Sequence, residues 1–182
     1  MPLIPYPPPS DTADRLAIEA KVRTARGGRL LNLYRMLLHS PPVADGWLAL
    51  GTAARYRTQL TGRQRELTIC LIALLNDCEY EWAEHAPEAI RAGVSPQELE
   101  QLATWRSSGL FARDDRAVLG YVASVALARA VDRELADELR LVLDDRQVLE
   151  LTAVVGYYTG LARFLIALGI DASGEESSGG DN

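Results

Sequence analysis

The sequence predicts an all-α fold, a compact helical domain of antiparallel helical hairpins. Apolar residues recur at helical spacing along most of the 182 residues, and strand-like alternation is scarce. Three helix-start signatures fall where apolar runs begin: Thr61-x-x-Gln64, Ser95-x-x-Glu98 with Pro96 behind it, and Asp144-x-x-Gln147. A chain of this length with 48% hydrophobic residues can bury a full core.

The elements follow in order. Pro2, Pro5, Pro7, Pro8 and Pro9 make residues 1–10 an extended, proline-rich arm that lies across the domain or a neighbouring subunit. Periodicity places helices at 11–26, 30–39 and 42–59, with Gly27-Gly28 stopping the first and His39 before Ser40-Pro41-Pro42 an ordinary helix end. The first two capping boxes open helices at 62–76 and 96–105, and Gly93 stops one at 78–92. Further helices are expected at 114–130, 133–143 and 145–169, making 11–170 the folded domain. Residues 171–182, rich in Gly, Ser and acids, form a disordered tail. "RQRELTICLIALLN" (63–76) is echoed by "RQVLELTAVVGYYT" (146–159), which fits either two pseudo-symmetric hairpins or two core helices sharing a pattern.

Composition narrows the function classes. The formal net charge is −6, and 18 of the 19 basic residues are arginines scattered along the chain, so neither nucleic acid nor an anionic membrane is an expected partner. The start lacks a secretory pattern, and uncharged runs such as 117–128 are shorter than a bilayer span, so a cytoplasmic protein is expected. Cys70 and Cys78 on one straight helix would lie roughly 12 Å apart, beyond disulfide reach. Cys70 reads as an inert core residue. Two histidines and two cysteines at these spacings make no zinc site, and there is no phosphate-binding glycine loop.

The chemistry concentrates in "NDCEYEWAEH" (76–85). On a helix over 78–92, Cys78, Glu81, Trp82 and His85 share one face, while Tyr80 points away. With Asn76 or Asp77 as cap, Cys78 would lie in the first turn, where free amides favour a thiolate and the neighbouring acids oppose it. Glu66, an acid within a mostly apolar helix, needs a partner or a proton.

Glu66, Cys78 twelve residues on and His85 seven further, with "YEWAEHAPEAIRAGVS" (80–95), resemble the carboxymuconolactone decarboxylase superfamily, which includes the alkylhydroperoxidase-D-like proteins. "LLNLYRMLLHSPP" (30–42) and "ELTAVVGYYTGLARFLIALGI" (150–170) extend the resemblance over roughly residues 30–170. It implies an alkylhydroperoxidase-D-like helical fold and a homo-oligomer, from dimer to trimer or hexamer. The peroxidase branch of that family carries Cys-x-x-Cys; here the second position is Glu81, so an intramolecular disulfide cycle cannot run. The decarboxylase branch implies no cofactor and no metal, and a small carboxylated or lactone-like substrate. His85 is then the general acid/base, Glu66 orients it or relays its proton, and Glu81 and Trp82 shape the pocket. Two alternatives stand beside this: a peroxidase-related antioxidant protein using Cys78 alone, and a non-catalytic helical oligomer that binds a ligand.

Overall fold

In the computed structural model, which describes residues 2–9 and 12–173, helices and turns make up the chain, with no strand among the described residues. The helices are α1 (Ala13–Ala25), α2 (Asn32–Leu37), α3 (Pro41–Tyr56), α4 (Gly62–Leu75), α5 (Glu79–Arg91), α6 (Pro96–Glu100), α7 (Arg113–Ala126), α8 (Arg133–Arg140) and α9 (Asp145–Leu168). Contacts group the chain into two units, Met1–Ala53 with Leu165–Asn182, and Ala54–Phe164, the division falling inside α3 and α9.

In the first unit, the described part of the arm is held by backbone and side chains. Leu3 N–H donates to Leu168 O (2.8 Å), the His39 ring bonds Pro5 O (2.9 Å), Arg15 donates to Pro8 O, and the Arg35 guanidinium stacks on Tyr6. The tail expectation falls outside the described residues from 174 onward. Asn32, in the same unit, donates to the carbonyls of Asp171 and Ser173 just before that point.

The second unit is built on the α4–α5 hairpin, with α7 packed on α4. α4 buries eight consecutive residues, Glu66–Ala73, so it is a core helix on all sides. All three capping boxes form: Gln64 N–H donates to Thr61 Oγ1, Glu98 N–H to Ser95 Oγ and Gln147 N–H to Asp144 Oδ1, each side chain at the third helical position accepting in return. Arg63 ties α4 to its neighbours, donating to Glu98 on α6 and to both oxygens of Asp115 on α7. That network holds the Glu98 carboxyl well below the usual range, the Arg63 hydrogen bond being the largest cause.

Several boundaries differ from the sequence expectation, for identifiable reasons. α4, α5, α7 and α9 all end in a residue at positive φ followed by a backbone bond reaching five residues back: Cys78 N to Ala73 O, Val94 N to Ala89 O, Arg129 N to Ser124 O, Ile170 N to Leu165 O. Gly93 and Gly169 suit that left-handed position. Asp77 (φ 51°) and Ala128 (φ 54°) occupy it without glycine's freedom, so α7 stops at Ala126 rather than 130 with no local signal. α3 ends at Tyr56 rather than 59 because the Gln59 backbone is engaged by α9: its N–H donates to Glu150 and its carbonyl accepts from Gln147. The helix expected at 96–105 is α6 followed by a 3-10 turn at Leu102–Thr104, which lets Leu99, Leu102 and Trp105 all face inward.

α9 is, among the described helices, the one long and apolar enough to cross a bilayer. Its Leu151, Val154, Val155 and Leu161 are buried within the fold, the pattern also of a core helix.

Replacing Arg63 with Met should lower the unfolding free energy by about 3 kcal/mol, since it strands two half-buried carboxylates at once. Urea denaturation at pH 7 checks this; a loss below about 1 kcal/mol would mean that the network behaves as an exposed ion pair.

Candidate functional site

The tight α4–α5 turn builds the site. Asn76 ends α4 and returns its side-chain N–H to Ile72 O (2.9 Å). Asp77 then turns through the left-handed region and Cys78 becomes the first, non-helical residue before α5. The expectation that Asn76 or Asp77 caps α5 with Cys78 in its first turn is therefore corrected: Cys78 is itself the N-cap. The Tyr80 and Glu81 amides do point at its sulfur, but burial outweighs them. The side chain is 3% exposed, and its thiol is pushed up rather than down.

The hairpin brings Glu66 and His85 into contact across its two helices. His85 Nδ1 lies 2.8 Å from Glu66 Oε2, and both side chains are buried. Burial alone would raise the Glu66 carboxyl. The His85 hydrogen bond and that from Arg65 Nε (2.9 Å) more than offset it, holding Glu66 below its ordinary value and ionised. An ionised carboxylate only accepts, so Nδ1 must carry the proton. That leaves Nε2 as the atom free to gain or lose one.

Nε2 faces Glu81, one turn earlier on α5, at 3.6 Å from Oε2. This is too long for a hydrogen bond, and Glu81 Oε2 is buried without a hydrogen-bond partner. Desolvation, only partly countered by His85 and Arg55, raises Glu81 to about 7. It is thus not the solvated acid its position between Glu79 and Glu84 would suggest.

Two groups absent from the sequence reading join them. The Tyr158 ring on α9 packs edge-on against His85 (5.2 Å between centroids), with Tyr157 edge-on against Tyr158. Burial opposes the charge of Arg55, near the end of α3, but its guanidinium is nonetheless raised, the Glu66 and Glu88 carboxylates being among the groups that favour it. Both come from helices far away in sequence, and no local motif marks them. Cys70 lies one turn along α4 from Glu66; burial, then the Glu66 and Glu81 charges, pushes its thiol up to about 12, as an inert core cysteine requires.

The expected site residues therefore separate into two places. Glu66, Glu81 and His85 form a buried line. Cys78 and half-buried Trp82 instead line a cavity of about 290 Å³ with Ala73, Leu74, Asp77 and Glu79. No hydrogen bond links the Cys78 thiol to His85. Tyr80 is buried as well. Among the described residues, no group of three His, Cys, Asp or Glu side chains is placed to hold a metal ion.

Residues 41–124 match the profile of the carboxymuconolactone decarboxylase family. An uncharacterised protein of Escherichia coli K12, YnjA, is 31% identical over 130 residues, 71% of this chain and 69% of its own. The chain belongs to the carboxymuconolactone decarboxylase family. The fold agrees with solved structures: a peroxidase-related protein of Silicibacter sp. TM1040 (TM-score 0.78, 19% identity, 97% of this chain and 92% of that one) and a cysteine-to-alanine variant of the debrominase Bmp8 bound to 2,3,4-tribromopyrrole (TM-score 0.77, 16% identity, 94% and 92%). The alkylhydroperoxidase core of Ralstonia eutropha JMP134 superposes as well (TM-score 0.75, 21% identity, 94% and 92%). The alkylhydroperoxidase-D-like helical fold inferred from the sequence is thus the observed one.

Glu81 makes a testable electrostatic demand. Its pKa is about 7 in the fold against an ordinary 4.5, so protonation favours the folded state. That contribution is fully present below about pH 4.5 and is lost as pH rises through about 7. Glu81→Gln removes it. The stability of the variant relative to wild type should therefore climb by about 3 kcal/mol between pH 5 and 9. Urea titrations of both proteins across that range check this; parallel curves would contradict a buried, proton-holding Glu81.

Proposed function

We propose that this family member is a cofactor-independent lyase or isomerase that moves a proton to or from a small carboxylated or lactone-like molecule. The observation that carries this reading is the buried line Glu66–His85–Glu81. Glu66 fixes the imidazole through Nδ1–H, and Nε2 shares a 3.6 Å gap with a carboxyl able to hold a proton near neutral pH.

In the lyase direction, the bond to the departing carboxylate breaks and carbon dioxide leaves. The electron pair flows into the substrate's conjugated carbonyl. A proton from Glu81 or from the His85 imidazolium then reaches the carbon or oxygen that received the charge, and solvent restores it after release. In the isomerase direction, Nε2 removes a proton from one carbon and returns it to another, with no net change. Both need a poorly solvated site, which the burial of all three side chains supplies.

A second reading uses Cys78 as the thiol of a peroxidase-related protein. The cavity it shares with Trp82 favours this one, because it gives an oxidant a route to the sulfur. Its raised thiol weighs against it. As to partners, a homo-oligomer with a small-molecule substrate, no nucleic acid and no membrane, working in the cytoplasm, fits this reading.

The two readings separate by mutation. Carbon dioxide release from a carboxylated unsaturated lactone should fall by about 10²–10⁴-fold in His85→Gln and change less than about twofold in Cys78→Ser. Intact turnover in His85→Gln sinks the proton-transfer reading. Peroxide consumption that vanishes in Cys78→Ser, in a protein inert toward lactones, would install the second.

A further inference from the structure

We propose that Arg65 is a positioning residue of this site: it takes the second oxygen of Glu66, offsets that carboxylate's charge, and so leaves His85 Nε2 free to take a proton. The inference rests on the proton-transfer reading of the site and adds to it a residue that the family pattern in this chain does not mark.

The two oxygens of Glu66 have separate partners. Oε2 meets His85 Nδ1 at 2.8 Å, and Oε1 accepts from Arg65 Nε at 2.9 Å. The Glu66 side chain is 3% exposed and that of Arg65 22%, so a partly exposed cation meets a buried anion. Adjacent residues on a helix do not face each other, and Arg65 makes this contact by folding its long side chain back along α4. Its Nη2 lies 3.8 Å from where a Cβ on Gly62 would stand. The guanidinium thus sits by the first residue of α4, the end at which a helix dipole disfavours positive charge. The Glu66 carboxylate is what holds it there.

Charge decides what the contact does. A buried carboxylate bonded to an imidazole favours the imidazolium, because the second proton creates an ion pair in a poorly solvated place. In that form His85 carries protons on both nitrogens and cannot accept one. With Arg65 paired to Glu66, the carboxylate already has a cation, and the gain from a proton on Nε2 shrinks. The other groups around the ring do not supply this counter-charge. Glu81, 3.6 Å from Nε2 on the same helix, adds negative charge when ionised. Tyr158 from α9 presents its ring and Cys70 on α4 a neutral thiol. Arg55 on α3 pairs with Glu88, at 3.5 Å, rather than with Glu66.

Proton uptake by His85, followed by nitrogen NMR on histidine-labelled protein, tests this without turnover, with His85→Gln assigning the signals. Arg65→Gln keeps a donor for Oε1 and removes the charge. Its His85 midpoint should lie about one pH unit above that of wild type, and Arg65→Lys should stay within about 0.3 units of wild type. Circular dichroism and melting establish that the variants fold; if Arg65→Gln does not, Arg65→Met is read in its place. An unchanged or lowered midpoint in the uncharged variant, or an Arg65→Lys midpoint that moves as far, overturns the proposal. Because turnover is not read, a midpoint that rises as expected in a protein with no lactone activity leaves Arg65 in this role and removes only the lyase reading.

Discussion

The structure depends on one hydrogen bond, from His85 Nδ1 to Glu66 Oε2 across the α4–α5 hairpin. Glu66 sits inside a helix whose whole central run is buried. An ionised carboxylate there is tolerable only if its oxygens are met, and two donors meet them: His85 from the facing helix and Arg65 beside it. Slipping the hairpin by one residue would move His85 off that face and strand the charge. The bond therefore fixes the register of the two helices that make the most contacts in the second unit, and through α4 the position of α7.

The same bond dictates chemistry. By taking the Nδ1 proton into a contact with an anion, it fixes the tautomer and turns Nε2 toward Glu81. The turn at Asn76–Cys78 contributes by its shape rather than by its thiol. Its left-handed Asp77 and the backbone bond from Cys78 to Ala73 fold α5 back sharply enough for residues 19 apart in sequence to touch. A looser loop would permit the same helices without imposing the contact.

What was legible in the sequence and what was not follow from range. Capping boxes are local, and all three formed at the residues read. The shared face of Glu81 and His85 is a one-turn periodicity, and it held. The pairing of Glu66 with His85 was not placed by the sequence alone, only implied by the family resemblance, and it is the hairpin geometry that brings the two within 2.8 Å. Arg55 and Tyr158 reach the site from α3 and α9, with nothing in their own neighbourhoods to mark them. The echo between the two Glu-Leu-Thr triplets shows how little a local match fixes. Thr68 and Thr152 each return a hydroxyl to the carbonyl four residues back. Yet Glu66 is buried against His85, while Glu150 closes the loop after α3 through the Gln59 amide. The leucine of each triplet is buried, but Thr68 is buried and Thr152 exposed, because the helices carrying them pack differently.

Burial also explains why replacing a second cysteine by Glu81 need not empty the site of function. Removing solvent raises every acid whose charge it must accommodate. For Cys78 that means a thiol kept protonated and a poor nucleophile at neutral pH. For Glu81 the same effect lifts a carboxyl from a range where it could never donate to about 7, where its proton is available in about half the molecules. One physical cause thus weakens the sulfur chemistry of this turn and creates acid chemistry one helical turn away. That carboxyl lies 3.6 Å from Nε2, the ring nitrogen that the Glu66 contact leaves without a proton.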